Sequence, residues 1–186
     1  VPDVTPEGVV TEAEPVSSAS EGVIWGTVIT MSGELAEDVD VQLVICSGNR
    51  MPPSGEKFAQ SSGYDGMFRF DTVPLGASQA SCGIVARKGN TIAIHENVIR
   101  HALRHWHVNL ILMPGRAVAG EVVNGEGAKI TGAWLVPVSR DGDEVNRGLS
   151  AALVERSGDD GRFRWQTLLP QNWNVNVYAD GYAPLL

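Results

Sequence analysis

An internal repeat constrains this chain more than any other feature of its sequence. Residues 62–72, SGYDGMFRFDT, align with residues 157–167, SGDDGRFRWQT, at a spacing of 95, and seven of the eleven positions are identical. Two upstream segments repeat in the same order at spacings of 94 and 92, residues 23–28 with 117–122 and residues 41–44 with 133–136. Three matches in one order at nearly one spacing indicate two copies of a single structural unit.

The repeated segment is predicted to be a strand that follows a tight turn. Aromatic residues alternate with their neighbours in Phe68-Arg69-Phe70 and again at 163–165 (Phe-Arg-Trp), which is the period of a half-buried strand. An Asp-Gly pair precedes each strand and favours a type I′ hairpin turn, because glycine accepts a positive φ. Further strand candidates are bounded by Gly, Pro, Asn or Asp: residues 39–46, 79–86, 107–113 and 173–179.

Residues 95–107, HENVIRHALRHWH, are compatible with two structures. Val98 and Ala102 recur at the spacing of one or two helical turns, whereas the end of the segment leads into the apolar strand candidate. Helix signals are otherwise nearly absent. The chain is therefore predicted to be all-β.

The order of these motifs resembles the carboxypeptidase regulatory-like domain family. In the first copy the resemblance rests on Gly26, Asp65-Gly66, residues 68–70, Val73-Pro74-Leu75-Gly76 and residues 86–89. In the second copy it rests on Gly120, Asp160-Gly161, residues 163–165, Leu169-Pro170 and residues 179–182. The resemblance implies two tandem seven-stranded β-sandwiches of the prealbumin-like (transthyretin-like, Ig-like) type. It also implies a structural, spacer or docking role in a secreted, periplasmic or cell-surface protein.

The predicted domain organisation is a flexible acidic linker at residues 1–22, a first sandwich at 23–113 and a second at 114–186. The linker combines Pro, Glu, Ser and Thr with little apolar surface, although Val9-Val10 could form a short edge strand.

The second copy is predicted to lack its closing strand. Residues 90–113 follow Gly89 in the first copy, but only residues 182–186 follow the matching Gly181. A sheet edge would then be exposed near the segment from Ala183 to Leu186. We expect a protein partner or a further part of the chain to complete this sheet, unless the second copy is simply shorter.

Charge and composition exclude several classes of function. The formal net charge is −8 and no block of Lys or Arg offsets it, so nucleic acid is not an expected partner. No apolar run reaches the length of a membrane span. Gly76-Ala77-Ser78-Gln79-Ala80 lacks the final glycine of a nucleophile elbow, and no His-x-x-Glu zinc motif occurs. No enzymatic activity and no cofactor are therefore expected.

Two sets of residues are candidates for metal or disulfide chemistry. His101 and His105 would share a face of a helix, and His105 and His107 would share a face of a strand, so either pair could begin a metal site. Solvated histidines are the plainer interpretation. Cys46 and Cys82 could form a disulfide or remain two buried thiols.

Aromatic residues are the candidates for ligand binding. Trp25, Trp134 and Trp165 lie within apolar alternation and are expected in the core. Trp106, Trp173 and Tyr182 are better placed for a surface role, such as a platform for a sugar ring. The predicted function is a non-catalytic structural or docking module outside the cytoplasm. The alternatives are a carbohydrate- or ligand-binding module and an accessory domain of a larger enzyme.

Overall fold

The computed structural model describes residues 21–47, 55–74, 80–98, 105–139 and 147–183, which are almost entirely β. The described elements are β1 (Glu21–Thr30), β2 (Asp40–Ser47), β3 (Glu56–Ser61), β4 (Met67–Pro74), β5 (Ala80–Lys88), β6 (Thr91–Val98), β7 (His105–Pro114), β8 (Arg116–Glu121), β9 (Trp134–Ser139), α1 (Arg147–Leu153), β10 (Glu155–Arg156), β11 (Arg162–Leu168) and β12 (Trp173–Tyr178).

The first seven strands form a β-sandwich, hereafter the N-terminal sandwich. Their hydrogen-bonded order is β3-β2-β5-β6-β7-β1-β4. Strands β6 and β7 pair only where Thr91 and Ile92 meet Pro114 and Met113, so the sheet folds over at this corner into two layers. Every pairing is antiparallel except that of β1 with β7, which is parallel over eight residue pairs.

The core of the N-terminal sandwich follows from the period-two alternation of its strands. Alternate residues point to one face of a sheet, so apolar residues two apart enclose the space between the layers. The fully buried side chains there include Ile24 and Val28 on β1, Leu43 on β2, Ile84 on β5 and Leu110 on β7.

The remaining strands, β8 to β12, are hereafter called the C-terminal strands. They form two smaller sheets. One sheet has the order β10-β9-β12, and the other pairs β11 with β8. The short helix α1 connects to β10 and packs against β5 and β2 of the N-terminal sandwich. A second apolar cluster joins the two parts, with Val44, Val85 and Ile92 on one side and Leu135, Leu153 and Trp165 on the other.

The repeated turns have the same hydrogen bonds in both copies. Gly66 N–H donates to Gly63 O at 2.9 Å, and Gly161 N–H donates to Gly158 O at 2.9 Å. The predicted positive φ is confirmed, with values of 69° and 72° for Gly66 and Gly161. The predicted type I′ turn is wrong, because only the glycine, the fourth residue of each turn, has a positive φ. The flanking strands do not pair with each other, since β3 and β4 lie at opposite ends of the strand order and β10 and β11 belong to different sheets. The turn therefore carries the chain from one layer to the other.

Two further points of local structure were left open or not predicted by the sequence. Residues at both ends of the ambiguous segment are strand, since His95 lies in β6 and His105 begins β7, while residues 99–104 lie outside the described ones. The helix Arg147–Leu153 was not predicted. It is only seven residues long, and its buried residues, Ala151 to Leu153, contact other elements rather than form a long periodic stripe.

A buried serine ties each repeated turn to the preceding loop. Ser62 Oγ donates to Ala36 O at 2.7 Å and accepts from Val39 N–H at 3.1 Å. Ser157 Oγ makes the matching bonds, to Ile130 O at 2.7 Å and from Ala133 N–H at 2.9 Å. The same hydroxyl thus satisfies the same two backbone groups in both copies.

We predict that Ser62→Ala and Ser157→Ala each lower the free energy of unfolding by about 1 to 3 kcal/mol, because a buried N–H and a buried carbonyl lose their partner. Urea denaturation measures the loss. The exposed neighbour Ser61 supplies the control, and Ser61→Ala should change stability by less than about 0.5 kcal/mol. Equal effects of Ser61→Ala and Ser62→Ala would contradict the proposed role of the hydroxyl.

Candidate functional site

The candidate site is the free edge of β8. In the N-terminal sandwich, β1 lies between β4 and β7. In the C-terminal strands, β8 pairs with β11, the counterpart of β4, and with no other described strand. No described strand occupies the position of β7, or that of β6 beside β12. The open region therefore corresponds to two strands, one more than the sequence predicted.

Core positions of β8 and β11 are uncovered on the side where no described strand lies. Val118 occupies the place that Ile24 has in the first copy, 94 positions earlier, and both face the interior between their sheets. Ile24 is 1% exposed, whereas Val118 is 41% exposed. Phe68 is buried, whereas its counterpart Phe163 is only half-buried. The residue types and pairings are similar in the two copies. The difference in exposure therefore comes from β7, which covers β1 but has no described counterpart beside β8.

A glycine at the centre of each first strand marks where the neighbouring strand approaches. A Cβ placed on Gly26 would lie 1.7 Å from Val108 O on β7, so β1 and β7 can pair this closely only with glycine at this position. Gly120 is the corresponding residue of β8, and the three atoms nearest to a Cβ there would all belong to the Phe163 ring, the first at 2.8 Å. The second copy retains the glycine, although no described strand lies beside it there.

A groove of about 460 Å³ lies next to the free edge of β8. Arg116 and Val118 form one wall, Leu168 and Leu169 are buried beside it, and half-buried Trp173 lies at the far side. In the N-terminal sandwich the residue paired with Ile24 on the β7 side is Trp106, whose side chain packs against the core. The groove therefore lies where a counterpart of Trp106 would be placed.

Charges flank the other end of β8. Glu121 accepts a hydrogen bond from Lys129, and another from Arg162 Nε at 3.1 Å. These two bonds, from Lys129 first and Arg162 second, lower the pKa of the Glu121 carboxyl. All three side chains are well exposed, so they mark the polar border of the open edge and contribute little to stability.

The aromatic residues predicted to have a surface role do not form a platform. Trp106 points inward from β7 and packs on the core. Trp173 is half-buried, and its indole N–H donates to Leu169 O at 3.0 Å. Tyr182 is 50% exposed but lies in a turn whose Tyr182 N–H donates to Ala179 O. These three residues are therefore not brought together, although Trp173 lines the groove.

The three tryptophans expected in the core have different positions. Trp165 is buried, and its indole N–H donates to Leu153 O at 2.7 Å. Trp25 is half-buried on the outer face of β1, where its ring lies 4.2 Å from that of His107, so the expectation of a core position is wrong. Trp134 is half-buried beneath the guanidinium of Arg156, 4.4 Å from the ring centre.

The histidines do not gather into a site among the described residues. His105 and His107 lie on one face of β7, as the strand alternative predicted, and both are exposed. His101 lies outside the described residues. Burial lowers the pKa of His95 on β6. Within the described ranges, no three His, Cys, Asp or Glu side chains are placed to hold a metal ion.

The structure has two cysteine thiols rather than a disulfide. Cys82 faces the core of the N-terminal sandwich, whereas Cys46 faces the cluster with the C-terminal strands, on the opposite side of the sheet. Their strand positions are also offset, because Cys46 pairs with Ser81 and Cys82 with Ile45. Burial, followed by the neighbouring Cys46, raises the pKa of Cys82 to about 12, so this thiol is not a nucleophile at neutral pH.

Comparison with known proteins yields distant structural similarities. No family model and no characterised protein sequence matches the chain. A similar solved structure is the shaft pilin SpaA of Lactobacillus rhamnosus GG, with a TM-score of 0.40 and 11% identity over 89% of this chain and 92% of that one. Others are a streptococcal ancillary pilin (TM-score 0.32, 15% identity, 91% of this chain) and the TIE protein of Bacillus anthracis (TM-score 0.33, 10% identity, 88% of this chain).

These similarities carry no argument about function, because their TM-scores are at or below 0.40. The chain spans 57% of the ancillary pilin and 29% of the TIE protein. Among the described residues, no helix is long and apolar enough to cross a membrane.

Proposed function

We propose that the chain is a non-catalytic structural module of an extracytoplasmic protein, made of two tandem sandwiches, and that the second sandwich joins it to other proteins. The observation that carries the proposal is the exposure of Val118 at a position where its counterpart Ile24 is fully covered. A free sheet edge offers unpaired N–H and C=O groups to an incoming strand, which is the basis of β-strand addition.

The proposed second sandwich holds its remaining structure well enough to act as an acceptor. Trp165, Leu135 and Leu153 are buried in the shared apolar cluster, and α1 fixes the C-terminal strands on the outer face of β5 and β2. The open edge is therefore held by a packed body on one side. Binding to a pre-ordered edge loses less conformational entropy than binding to a disordered one.

The alternative of a carbohydrate-binding module has less support. It would need an exposed aromatic platform, and the residues expected to form one either face the core or line the groove beside β8. The proposed extracytoplasmic location is supported by the family resemblance of the repeated motifs. Pilins appear among the distant structural similarities, but the proposal does not depend on them.

Completing the second sandwich in the same polypeptide tests this function. A copy of residues 90–114, which contain β6 and β7, is appended after Leu186 through a flexible linker. We predict that unfolding becomes less favourable by about 2 kcal/mol or more, because the added strands cover Val118 and the half-buried Phe163. Thermal and urea unfolding measure the change.

The matched control is the same extension with serine at the three inward positions that copy Val108, Leu110 and Leu112. It has the same length and linker but cannot supply apolar cover. Equal stability of the two extended proteins would show that the second sandwich does not accept strands, and the proposed function would be abandoned.

A further inference from the structure

The loop after β8 contains the only Asn-Gly pair of the sequence, Asn124-Gly125. Asn124 is half-buried and Gly125 is exposed. An asparagine followed by glycine can react with itself, because the next backbone nitrogen is close to the side-chain amide along the chain and no Cβ hinders its approach. The surroundings of this pair therefore decide whether the folded chain undergoes the reaction.

The corresponding loop of the first copy, 94 positions earlier, has Thr30 in place of Asn124. Both loops are closed by the same backbone bond, since Asn124 N–H donates to Ala128 O at 2.9 Å and Thr30 N–H donates to Glu34 O at 2.8 Å. In each loop the side-chain oxygen of the first residue also accepts from the N–H four positions later, at 2.9 Å for Asn124 and 3.2 Å for Thr30. A hydroxyl is sufficient for this loop, so the fold does not require the amide of Asn124.

The backbone of the loop polarises the Asn124 amide. Its Oδ1 accepts two backbone N–H groups, from Glu126 at 3.0 Å and from Ala128 at 2.9 Å. Attack on Cγ moves negative charge onto Oδ1, and N–H groups that already point at this oxygen stabilise the charge, as in an oxyanion hole. The loop therefore favours the intermediate of an attack on its own side chain.

The attacking and leaving nitrogens have no hydrogen bonds to other described residues. These nitrogens are Gly125 N and Asn124 Nδ2. A Cβ placed on Gly125 would meet no atom within 4 Å, so the space around this residue is open to solvent. Within the part of the chain that the structure describes, no hydrogen bond of either nitrogen has to break before the reaction begins.

We propose that Asn124-Gly125 is a self-modification site, at which the folded loop converts Asn124 to aspartate and isoaspartate. The Gly125 nitrogen attacks Asn124 Cγ. The new N–Cγ bond forms, the Cγ–Nδ2 bond breaks, and the proton of Gly125 N leaves with Nδ2 as ammonia. Water then opens the cyclic succinimide, at Cγ to give aspartate or at the main-chain carbonyl carbon to give isoaspartate. Water is consumed and ammonia released, and nothing is oxidised or reduced.

The two products differ in their effect on the loop. Aspartate keeps an acceptor oxygen in place of Oδ1 and adds a negative charge. Isoaspartate routes the backbone through Cβ and Cγ, which lengthens the loop and displaces the groups that bond Asn124 N–H to Ala128 O and Gly127 N–H to Asn124 O. Isoaspartate is therefore expected to loosen the loop that carries Lys129, whose side chain donates to Glu121 at the end of β8.

Peptide mapping by mass spectrometry, after incubation of the folded full chain at neutral pH, tests the inference. We expect Asn124 to convert at least about 10-fold faster than the strand asparagines, which precede leucine or valine. These are Asn109, Asn174 and Asn176. An isoaspartyl methyltransferase should label part of the product at position 124. The chain unfolded in urea in the same buffer measures the reactivity without the loop, and the folded chain should convert at least as fast.

Two substitutions separate the chemistry from the structure. Gly125→Ala fits the loop, because its φ is not positive and its Cβ would lie in open space. The added methyl group hinders attack by the nitrogen, so conversion should fall at least about 10-fold while the midpoint of thermal unfolding stays the same. Asn124→Thr, which introduces the residue of the first copy, keeps an acceptor oxygen and should abolish conversion at position 124.

Three results would overturn the inference. Slower conversion in the folded chain than in the unfolded chain would mean that the loop protects Asn124. An unchanged rate in the Gly125→Ala variant would exclude attack by the Gly125 nitrogen. Conversion of a strand asparagine as fast as that of Asn124 would show that the loop gives Asn124 no special reactivity.

Discussion

Gly26→Ala is expected to destabilise the protein by more than about 3 kcal/mol or to prevent folding, because overpacking against backbone cannot be relieved by a rotamer change. The new methyl group would lie 1.7 Å from Val108 O and 2.7 Å from the carbonyl carbon of the same residue. Strands β1 and β7 would have to separate, and their separation breaks a parallel ladder of eight residue pairs. Urea denaturation, or the yield of soluble protein where folding fails, measures the effect.

Gly120→Ala is the matched variant in the second copy. Its methyl group would meet the Phe163 ring at 2.8 Å, but that ring is half-buried and can tilt toward solvent. The cost is therefore expected to be about 1 kcal/mol. A loss below about 1 kcal/mol for Gly26→Ala, or equal losses for the two variants, would contradict the close approach of β7 to β1 and the open edge of β8.

The repeat predicted much of the fold because it records the same local contacts twice. The Ser-Gly-x-Asp-Gly turn, the buried serine hydroxyl and the aromatic strand after it are short-range features, and they recur with hydrogen bonds that agree to about 0.2 Å. The sequence also predicted an uncovered sheet edge, because fewer residues of the given sequence follow Gly181 than follow the matching Gly89. Local chemistry and chain length are both read directly from sequence.

Whether each tryptophan side chain points into the core or outward was harder to predict. The alternation of apolar and polar residues in β7 was one usable signal. In HWHVNLILMP, residues 106, 108, 110 and 112 are apolar and residues 105, 107 and 109 are polar, so alternation alone places Trp106 inward. In β1 the competing sets are Ile24, Gly26 and Val28 against Val23, Trp25 and Thr27. Hydrophobicity does not separate these sets, since the glycine position is fixed by the approach of β7.

The residues of the candidate site were not identified from sequence. What distinguishes the site is the exposure of Val118 where no described strand pairs with β8. Val118, Leu168 and Leu169 look like ordinary core residues, and the latter two are indeed buried. The alignment of Val118 with Ile24 was available from the repeat. The sequence did not reveal that Ile24 pairs with β7, because this contact joins residues about 80 positions apart.

The open edge of β8 makes a direct prediction for hydrogen exchange in the protein alone. Trp25 and Thr27 direct their N–H groups toward β7, whereas Ala119 and Glu121, 94 positions later, direct theirs toward the edge that no described strand covers. An amide in a central strand exchanges only through opening, while one at a free edge exchanges with solvent directly. The two pairs therefore compare the same strand position with and without a neighbour.

Residue-resolved amide exchange by NMR is the measurement that tests this account most directly. We predict that the amides of Trp25 and Thr27 exchange more slowly than those of Ala119 and Glu121 by roughly three orders of magnitude, relative to their intrinsic rates. Val122, which donates to Gly161 O, provides an internal reference for a paired amide at the end of β8. Protection of Ala119 and Glu121 equal to that of Trp25 and Thr27 would mean that β8 is already covered, and the acceptor edge would not exist.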